Sequence, residues 1–60
     1  MSKVMVRIDG CSDSLMWYYG HIGEAFVLIR DLPREDCWLV RASDGYSNIV
    51  HKKDGSLVEE

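Results

Sequence analysis

Hydrophobic and polar residues alternate along several short segments of this chain. Residues 3–8 read KVMVRI, so Val4, Val6 and Ile8 share one face and the two basic residues share the other. Side chains of a strand point alternately to opposite faces of a sheet. An Asp-Gly pair follows the segment, and such pairs are typical of turns. The pattern therefore predicts a strand with one buried face that ends near residue 8.

Further segments predict three or four more strands. Residues 24–30 read EAFVLIR and are apolar on both faces, which is typical of a central strand buried on both sides. The other predicted strands are 37–42, 46–51 and 56–58. Gly45 supplies the positive φ that tight hairpin turns need, and residues 52–55 predict another hairpin-type turn.

Residues 11–23 follow neither the strand nor the helix pattern. Residues 15–19 read LMWYY and could begin a short helix, but Gly20 and Gly23 leave it little room. We therefore expect an irregular loop, which is long for a connection in so small a domain. Such loops often carry function, because they lie at the surface on a rigid scaffold.

The length of the chain bounds its organisation. It has 60 residues, so we assign residues 1–60 to a single domain. Four to five short strands separated by turns favour a mostly-β fold, a small antiparallel barrel or sandwich that closes most of its own edges. A domain of this size buries only about 60% of its unfolded surface, so a homodimer would enlarge a small core.

The charge pattern disfavours two classes of partner. The net charge is −3, and the seven basic residues are scattered along the chain rather than gathered in a stripe. Nucleic acid is therefore not the favoured partner. No apolar stretch approaches the roughly 20 residues that span a membrane, and residues 1–7 have no signal-peptide core. We expect a cytoplasmic protein without a membrane partner.

Two cysteines and two histidines are the candidate metal ligands and nucleophiles. The spacing of Cys11, His21, Cys37 and His51 matches no zinc signature, so we expect no metal and no other cofactor. No nucleophile or phosphate-binding motif is present, so we expect no catalytic residues and no enzymatic activity. Free thiols fit a reducing compartment, and a Cys11–Cys37 disulfide is the alternative.

Aromatic residues form the predicted partner-binding site, since Tyr and Trp are enriched at binding hot spots. They are Trp17, Tyr18, Tyr19, Trp38 and Tyr46. Three consecutive aromatic residues cannot all face inward in an extended chain, so at least one of residues 17–19 is expected at the surface. The alternative is that the rings fill the core, which alternation with Val40 favours for Trp38. We expect loss of the Tyr18 ring to weaken binding and to leave folding nearly intact.

The order of the motifs resembles that of SH3-like barrels. The shared motifs are Ile22-Gly23-Glu24 before an apolar strand, the tryptophan strand 38–42, and Gly45-Tyr46 before a short apolar pair. The resemblance spans residues 3–51 and implies a small antiparallel SH3-like barrel. Trp38 stands alone where that family has a tryptophan pair, so it lines the groove in one register and the core in the other. Ser47 and Asn48 replace the family's groove proline, so proline-rich ligands are not implied.

The chain also resembles small uncharacterised SH3-like proteins of bacteriophages. The shared features are a Trp-Tyr pair in the first loop, Ile-Gly-x-x-Phe, Trp-x-Val-Arg and Gly-Tyr-x-Asn-Ile-Val. This resemblance implies a phage or bacterial origin and no defined activity. We expect a small protein-binding module without enzymatic activity, a phage accessory protein that engages a host protein. The alternatives are a nucleic-acid or ribonucleoprotein-binding barrel and a structural or self-assembling component.

Overall fold

A computed structural model describes residues 3–42 and 44–59, and its main elements are five short antiparallel strands in one sheet. They are β1 (Val4–Ile8), β2 (Ala25–Leu32), β3 (Cys37–Arg41), β4 (Ser47–His51) and β5 (Gly55–Glu59). Two 3-10 turns, Tyr19–His21 and Lys52–Asp54, supply the helical structure in these residues. This arrangement confirms the predicted fold class, a small mostly-β fold of four to five short antiparallel strands. No helix in the described ranges is both long and apolar enough to cross a membrane.

The strands are arranged in the order β4-β3-β2-β1-β5, so β2 is central and β4 and β5 form the two edges. The hairpin predicted at residues 52–55 is wrong, because β4 and β5 do not pair with each other. Residues 52–54 instead form a 3-10 turn that carries the chain from one edge strand to the other. The hydrogen-bonded sheet is open, so the predicted closure of the edges by strand pairing is also wrong.

β2 contains a bulge near its middle. Leu28 lies opposite Val40, but Arg30 lies opposite Leu39, so Ile29 has no partner in the β3 register. One extra residue shifts the alternation, which moves every later side chain of the strand to the other face. The bulge thus decides which residues of the second half of β2 face the core.

The predicted burial of β2 on both faces is wrong. Phe26 is buried, but Val27 and Ile29 are 40% and 42% exposed. Only one face of the sheet is covered by the rest of the chain, so residues on the other face remain in contact with water. An apolar run on both faces is therefore not sufficient evidence for a strand covered on both sides.

The hydrophobic core lies on one face of the sheet. Its strand residues are Val6, Ile8, Phe26, Trp38, Val40 and Val50, and Tyr18 joins them from the loop. The predicted inward face of β1 is thereby confirmed for Val6 and Ile8, whereas Val4 at the start of the strand is 40% exposed. Trp38 is 8% exposed and faces the core, which decides between the two registers and confirms the prediction from alternation.

Candidate functional site

The loop between β1 and β2, residues 9–24, is attached to the sheet by two aromatic side chains. Trp17 Nε1 donates a hydrogen bond to the carbonyl of Ile49 in β4, at 2.7 Å. Tyr18 is wholly buried, and its hydroxyl donates to the carboxylate of Asp54. The Tyr18 oxygen also accepts a long hydrogen bond, 3.5 Å, from the backbone N–H of His51. The loop is therefore fixed both to the β4 edge and to the second 3-10 turn.

Tyr18 cannot contact a partner in this structure, so the prediction that it belongs to the binding surface is wrong. Its side chain has no exposed surface, and burial raises its pKa, with the hydrogen bond to Asp54 acting in the same direction. A buried carboxylate needs a hydrogen-bond donor, and Tyr18 is the donor for Asp54. Because the ring is wholly buried in the core, we now expect its loss to destabilise the fold, in contrast to the expectation from the sequence.

Backbone hydrogen bonds fix both ends of the loop. The carbonyl of Asp54 accepts from the N–H groups of Asp9 and Gly10, at 2.8 and 3.2 Å. At the other end, the N–H of Gly23 donates to the carbonyl of Ile8, at 2.7 Å, with Gly23 at φ +92°. Glycine adopts this left-handed conformation without steric cost. The tip of the loop is thus held between two fixed ends.

Aromatic contacts hold the middle of the loop. The Trp17 ring makes edge-to-face contacts with Tyr18 and Phe26, with centroids 5.5 and 5.1 Å apart. His21 packs against Phe26, and its Nδ1 lies 2.9 Å from a carboxylate oxygen of Glu24. Edge-to-face geometry is favourable for aromatic pairs. Trp17 is therefore mainly an anchor of the loop, with part of its ring at the surface.

Three apolar side chains of the loop point to solvent, and we call them the loop surface. They are Leu15, Tyr19 and Ile22, which are 91%, 48% and 52% exposed. Tyr19 belongs to the predicted binding site, whereas Leu15 and Ile22 were missed. An apolar residue beside an aromatic run looks like a core residue in the sequence. A turn and the 3-10 segment replace the period-two alternation here, so the sequence gives no clear signal of which side chains turn outward.

Tyr46 is the most exposed of the predicted aromatic residues, at 73%. Its N–H donates to the Asp44 carboxylate, at 3.0 Å, and its carbonyl accepts from Ala42, at 2.8 Å. Gly45 has φ +90°, so the positive φ predicted there is confirmed. None of the aromatic ring contacts among the described residues joins Tyr46 to residues 17–19. Tyr46 is therefore a separate exposed ring and not part of the aromatic anchor.

The structure brings one cysteine and one histidine together. Cys37 Sγ lies 3.2 Å from His51 Nδ1 and also donates to the carbonyl of Glu35, at 3.2 Å. Cys37 is 2% exposed. Burial raises the pKa of its thiol, and Asp36 and Glu35 act in the same direction, while Lys52 opposes them. The thiol therefore stays protonated near neutral pH, which is the unreactive form of cysteine.

The other candidate ligands do not join this pair. Cys11 and Cys37 are both free thiols. In the residues that the structure describes, no group of three or more His, Cys, Asp or Glu side chains is arranged to hold a metal ion. Cys37 and His51 therefore form an isolated hydrogen-bonded contact.

Lys52 covers one end of the core. Its ammonium lies 2.7 Å from a carboxylate oxygen of Asp31 and 5.8 Å from the centroid of the Trp38 ring. A cation over the face of an indole ring is attracted by the ring's electrons. Trp38 is thus covered on this side by Lys52, which explains why it is not available as part of an exposed groove.

The described part of the chain contains no pocket. The candidate site therefore consists of exposed side chains and not of a cavity among the described residues. The resemblance to SH3-like proteins of phages stays a prediction. In the comparisons with known proteins, no protein family, no curated protein and no solved structure matches this chain.

Proposed function

We propose that this protein is a small non-enzymatic protein-binding module and that the loop surface is its contact site. One observation carries the proposal: three exposed apolar side chains, Leu15, Tyr19 and Ile22, project from a loop that buried aromatic residues hold in place. The anchors Trp17 and Tyr18 pack inward and leave the neighbouring residues at the surface.

The attachment of the loop favours tight binding. Association costs about 0.5–1.5 kcal/mol for each flexible side chain that it immobilises, and ordering a loop adds to this. The backbone of residues 9–24 is already held at both ends and by the Tyr18 hydroxyl. A partner would therefore order mainly the side chains of Leu15, Tyr19 and Ile22. Tyr19 adds a ring that combines apolar area with a hydroxyl, a combination enriched at interfaces.

Two finer points belong to the same proposal. The thiols of Cys11 and Cys37 are free, which suits a reducing compartment and so a cytoplasmic location. A phage accessory protein that engages a host protein would act in that compartment, so a bacterial lysate is the appropriate source of partners.

The experiment compares three immobilised proteins in bacterial lysate, with bound proteins quantified by mass spectrometry. They are the wild type, the double variant Leu15→Ser/Tyr19→Ser, and the control Leu57→Ser. Leu57 is 51% exposed on the edge strand β5, so the control removes exposed apolar surface outside the loop. Thermal unfolding of each protein checks that the fold is retained.

We expect the wild type and the Leu57→Ser control to retain the same bound protein. The loop variant should retain at least about tenfold less of it, since truncation of a binding hot spot costs about 2 kcal/mol or more and a loss of about 1.4 kcal/mol is tenfold in affinity. Equal retention by all three proteins, with all three folded, contradicts the proposed contact site. Absence of any protein bound specifically by the wild type contradicts the proposed function in this lysate.

A further inference from the structure

The face of the sheet opposite the core carries a compact group of exposed and half-buried residues, which we call the outer patch. It consists of Met5, Val27, Arg30, Leu39, Arg41 and Ile49. Strand pairing places them together, because residues directly opposite in an antiparallel sheet have side chains on the same face. Loop 9–24 packs on the other face, so the outer patch and the loop surface are separate.

Two neighbouring rows make up the outer patch. In the first row Met5 lies opposite Val27, and Val27 lies opposite Arg41. In the second row Leu39 lies between Arg30 and Ile49. Adjacent strands are about 4.8 Å apart, so each row spans roughly 10 Å. The four apolar side chains are therefore contiguous, and an arginine lies beside them in each row.

The charge of the outer face is opposite to that of the whole protein. The net charge of the chain is −3, yet no strand residue on the outer face is acidic in the described sequence. The acidic strand residues, Asp31 and Glu59, lie opposite Trp38 and Val4, on the face that carries the core. The outer patch is therefore basic although the protein is acidic.

The arginines of the patch are available for a partner. The described ion pairs involve neither Arg30 nor Arg41. Arg41 uses one guanidinium nitrogen to donate to the carbonyl of Gly45, at 3.0 Å, which leaves its other donors exposed. Arg7, farther along the same face, is already paired with Asp9 at 2.9 Å and is therefore not counted in the patch.

The bulge at Ile29 brings Arg30 onto this face. Arg30 lies opposite Leu39, which shares its face with Arg41 two residues later. Without the extra residue, Arg30 would follow Leu28 on the core face. Bulges commonly redirect a side chain toward a functional surface. The local irregularity of β2 thus supplies one of the two arginines of the patch.

We propose that the outer patch binds an acidic segment of another protein, in which pairs of carboxylates alternate with pairs of aliphatic side chains, so that each face of the extended segment carries both kinds. The aliphatic side chains pack on Val27, Leu39 and Ile49, and the carboxylates pair with Arg30 and Arg41. Arginine recognises a carboxylate with two parallel hydrogen bonds, which gives direction as well as attraction. This binding surface goes beyond the loop surface and does not depend on it.

The side chains of the patch favour a protein segment over nucleic acid. Unpaired bases stack on aromatic rings, and the outer patch contains none. Proteins that bind duplex DNA typically neutralise several phosphates, whereas the patch offers two unpaired arginines. Contiguous aliphatic residues beside arginines match instead a segment that is both apolar and acidic.

The test measures, by anisotropy, the binding of a fluorescent peptide in which pairs of glutamates alternate with pairs of leucines. A peptide with lysines in place of the glutamates has the same apolar content and the opposite charge. The protein variants are Arg30→Glu/Arg41→Glu and Val27→Ser. The control is Arg34→Glu, an exposed arginine outside the patch, in the turn between β2 and β3. Circular dichroism checks that all variants are folded.

We expect the wild type to bind the glutamate peptide and not the lysine peptide, more weakly as salt increases. The double arginine variant should weaken this binding at least about fivefold, and Val27→Ser should weaken it measurably, while Arg34→Glu stays within about twofold. An equal loss in Arg34→Glu overturns the proposal, because the attraction would then depend only on net charge. Tighter binding to single-stranded DNA or to phosphatidylserine vesicles, or dimerisation through this face, also overturns it.

Discussion

Replacing Tyr18 with phenylalanine removes one oxygen atom from the buried contact between the loop and the second 3-10 turn. We expect the ring to keep its place beside Trp17, so its apolar contacts are retained and only the small space of the hydroxyl is left empty. The Asp54 carboxylate, 9% exposed, loses its hydroxyl donor. Loss of a hydrogen bond to a buried charged group destabilises a protein by about 1.5–3 kcal/mol. The long contact with the His51 N–H adds little to this.

This loss is large relative to the stability of so small a domain. For 60 residues, the expected free energy of unfolding is about 3–9 kcal/mol. The Tyr18→Phe variant should therefore melt lower by on the order of 10 °C. Urea and thermal unfolding, followed by circular dichroism, measure the change. The control is Tyr19→Phe, which removes a hydroxyl from a half-exposed ring and should change the free energy of unfolding by less than about 0.5 kcal/mol.

The pH dependence provides an independent check. The pKa of Tyr18 is raised above its ordinary value of 10.0, so the folded protein holds this proton more tightly than the unfolded chain does. The corresponding stability is fully present below pH 10 and is lost as the pH rises above it. The wild type should therefore lose stability above pH 10 more steeply than Tyr18→Phe.

A double-mutant cycle with Asp54→Ala tests the reasoning directly. If the two side chains stabilise the fold through their mutual hydrogen bond, Tyr18→Phe should have little effect once Asp54 is alanine. Additive effects of the two substitutions would refute the argument. The argument would also be refuted if Tyr18→Phe were as stable as Tyr19→Phe. The buried hydroxyl of Tyr18 would then contribute no more to stability than the half-exposed hydroxyl of Tyr19.

Two further predictions concern the strand contacts and the buried thiol. Gly55→Ala should destabilise the fold by about 1–3 kcal/mol, because a Cβ at this position would lie 2.7 Å from the carbonyl oxygen of Arg7. Gly20→Ala, which meets no atom within 4 Å, should be nearly neutral in the same urea titration. Burial raises the pKa of Cys37 above its ordinary 9.0, so its stabilising contribution is present below pH 9 and is lost above it. The fall in wild-type stability above pH 9 should be shallower in Cys37→Ala, and the same slope in both proteins contradicts this assignment.

Alternation predicted the strands and the core well, because both depend on local sequence. Val6, Ile8 and Val40 face the core, as their positions in the pattern indicate, and Trp38 lies on the same face as Val40. Alternation did not predict which strand each edge strand pairs with. The Lys52–Asp54 segment contains the polar residues and following glycine of a hairpin, yet it forms a 3-10 turn between two strands at opposite edges. The residue types of a turn determine a local bend in the chain. They do not determine where in the sheet the next strand pairs.

The roles of Trp17, Tyr18 and Tyr19 depended on partners distant in the sequence. The expectation that at least one of the three is exposed is confirmed, since Tyr19 is 48% exposed. Tyr18 turns inward because Asp54, 36 positions later, offers a buried acceptor. No pattern within the loop reports that contact. The missed residues Leu15 and Ile22 are exposed for a related reason, because the anchors next to them take up the available interior.

The outer patch shows why the positions of the basic residues along the sequence did not predict a basic surface. The basic residues are scattered in sequence, with Arg30 and Arg41 in different strands and separated by an acidic turn. Antiparallel pairing brings those two strands side by side, and the bulge at Ile29 sets Arg30 on the face that Arg41 occupies. The intervening carboxylates are left in the turn or on the core face. A chain that is acidic overall thus acquires a basic face through strand register, and removing the bulged residue should turn Arg30 to the core face and leave Arg41 as the one unpaired arginine of the patch.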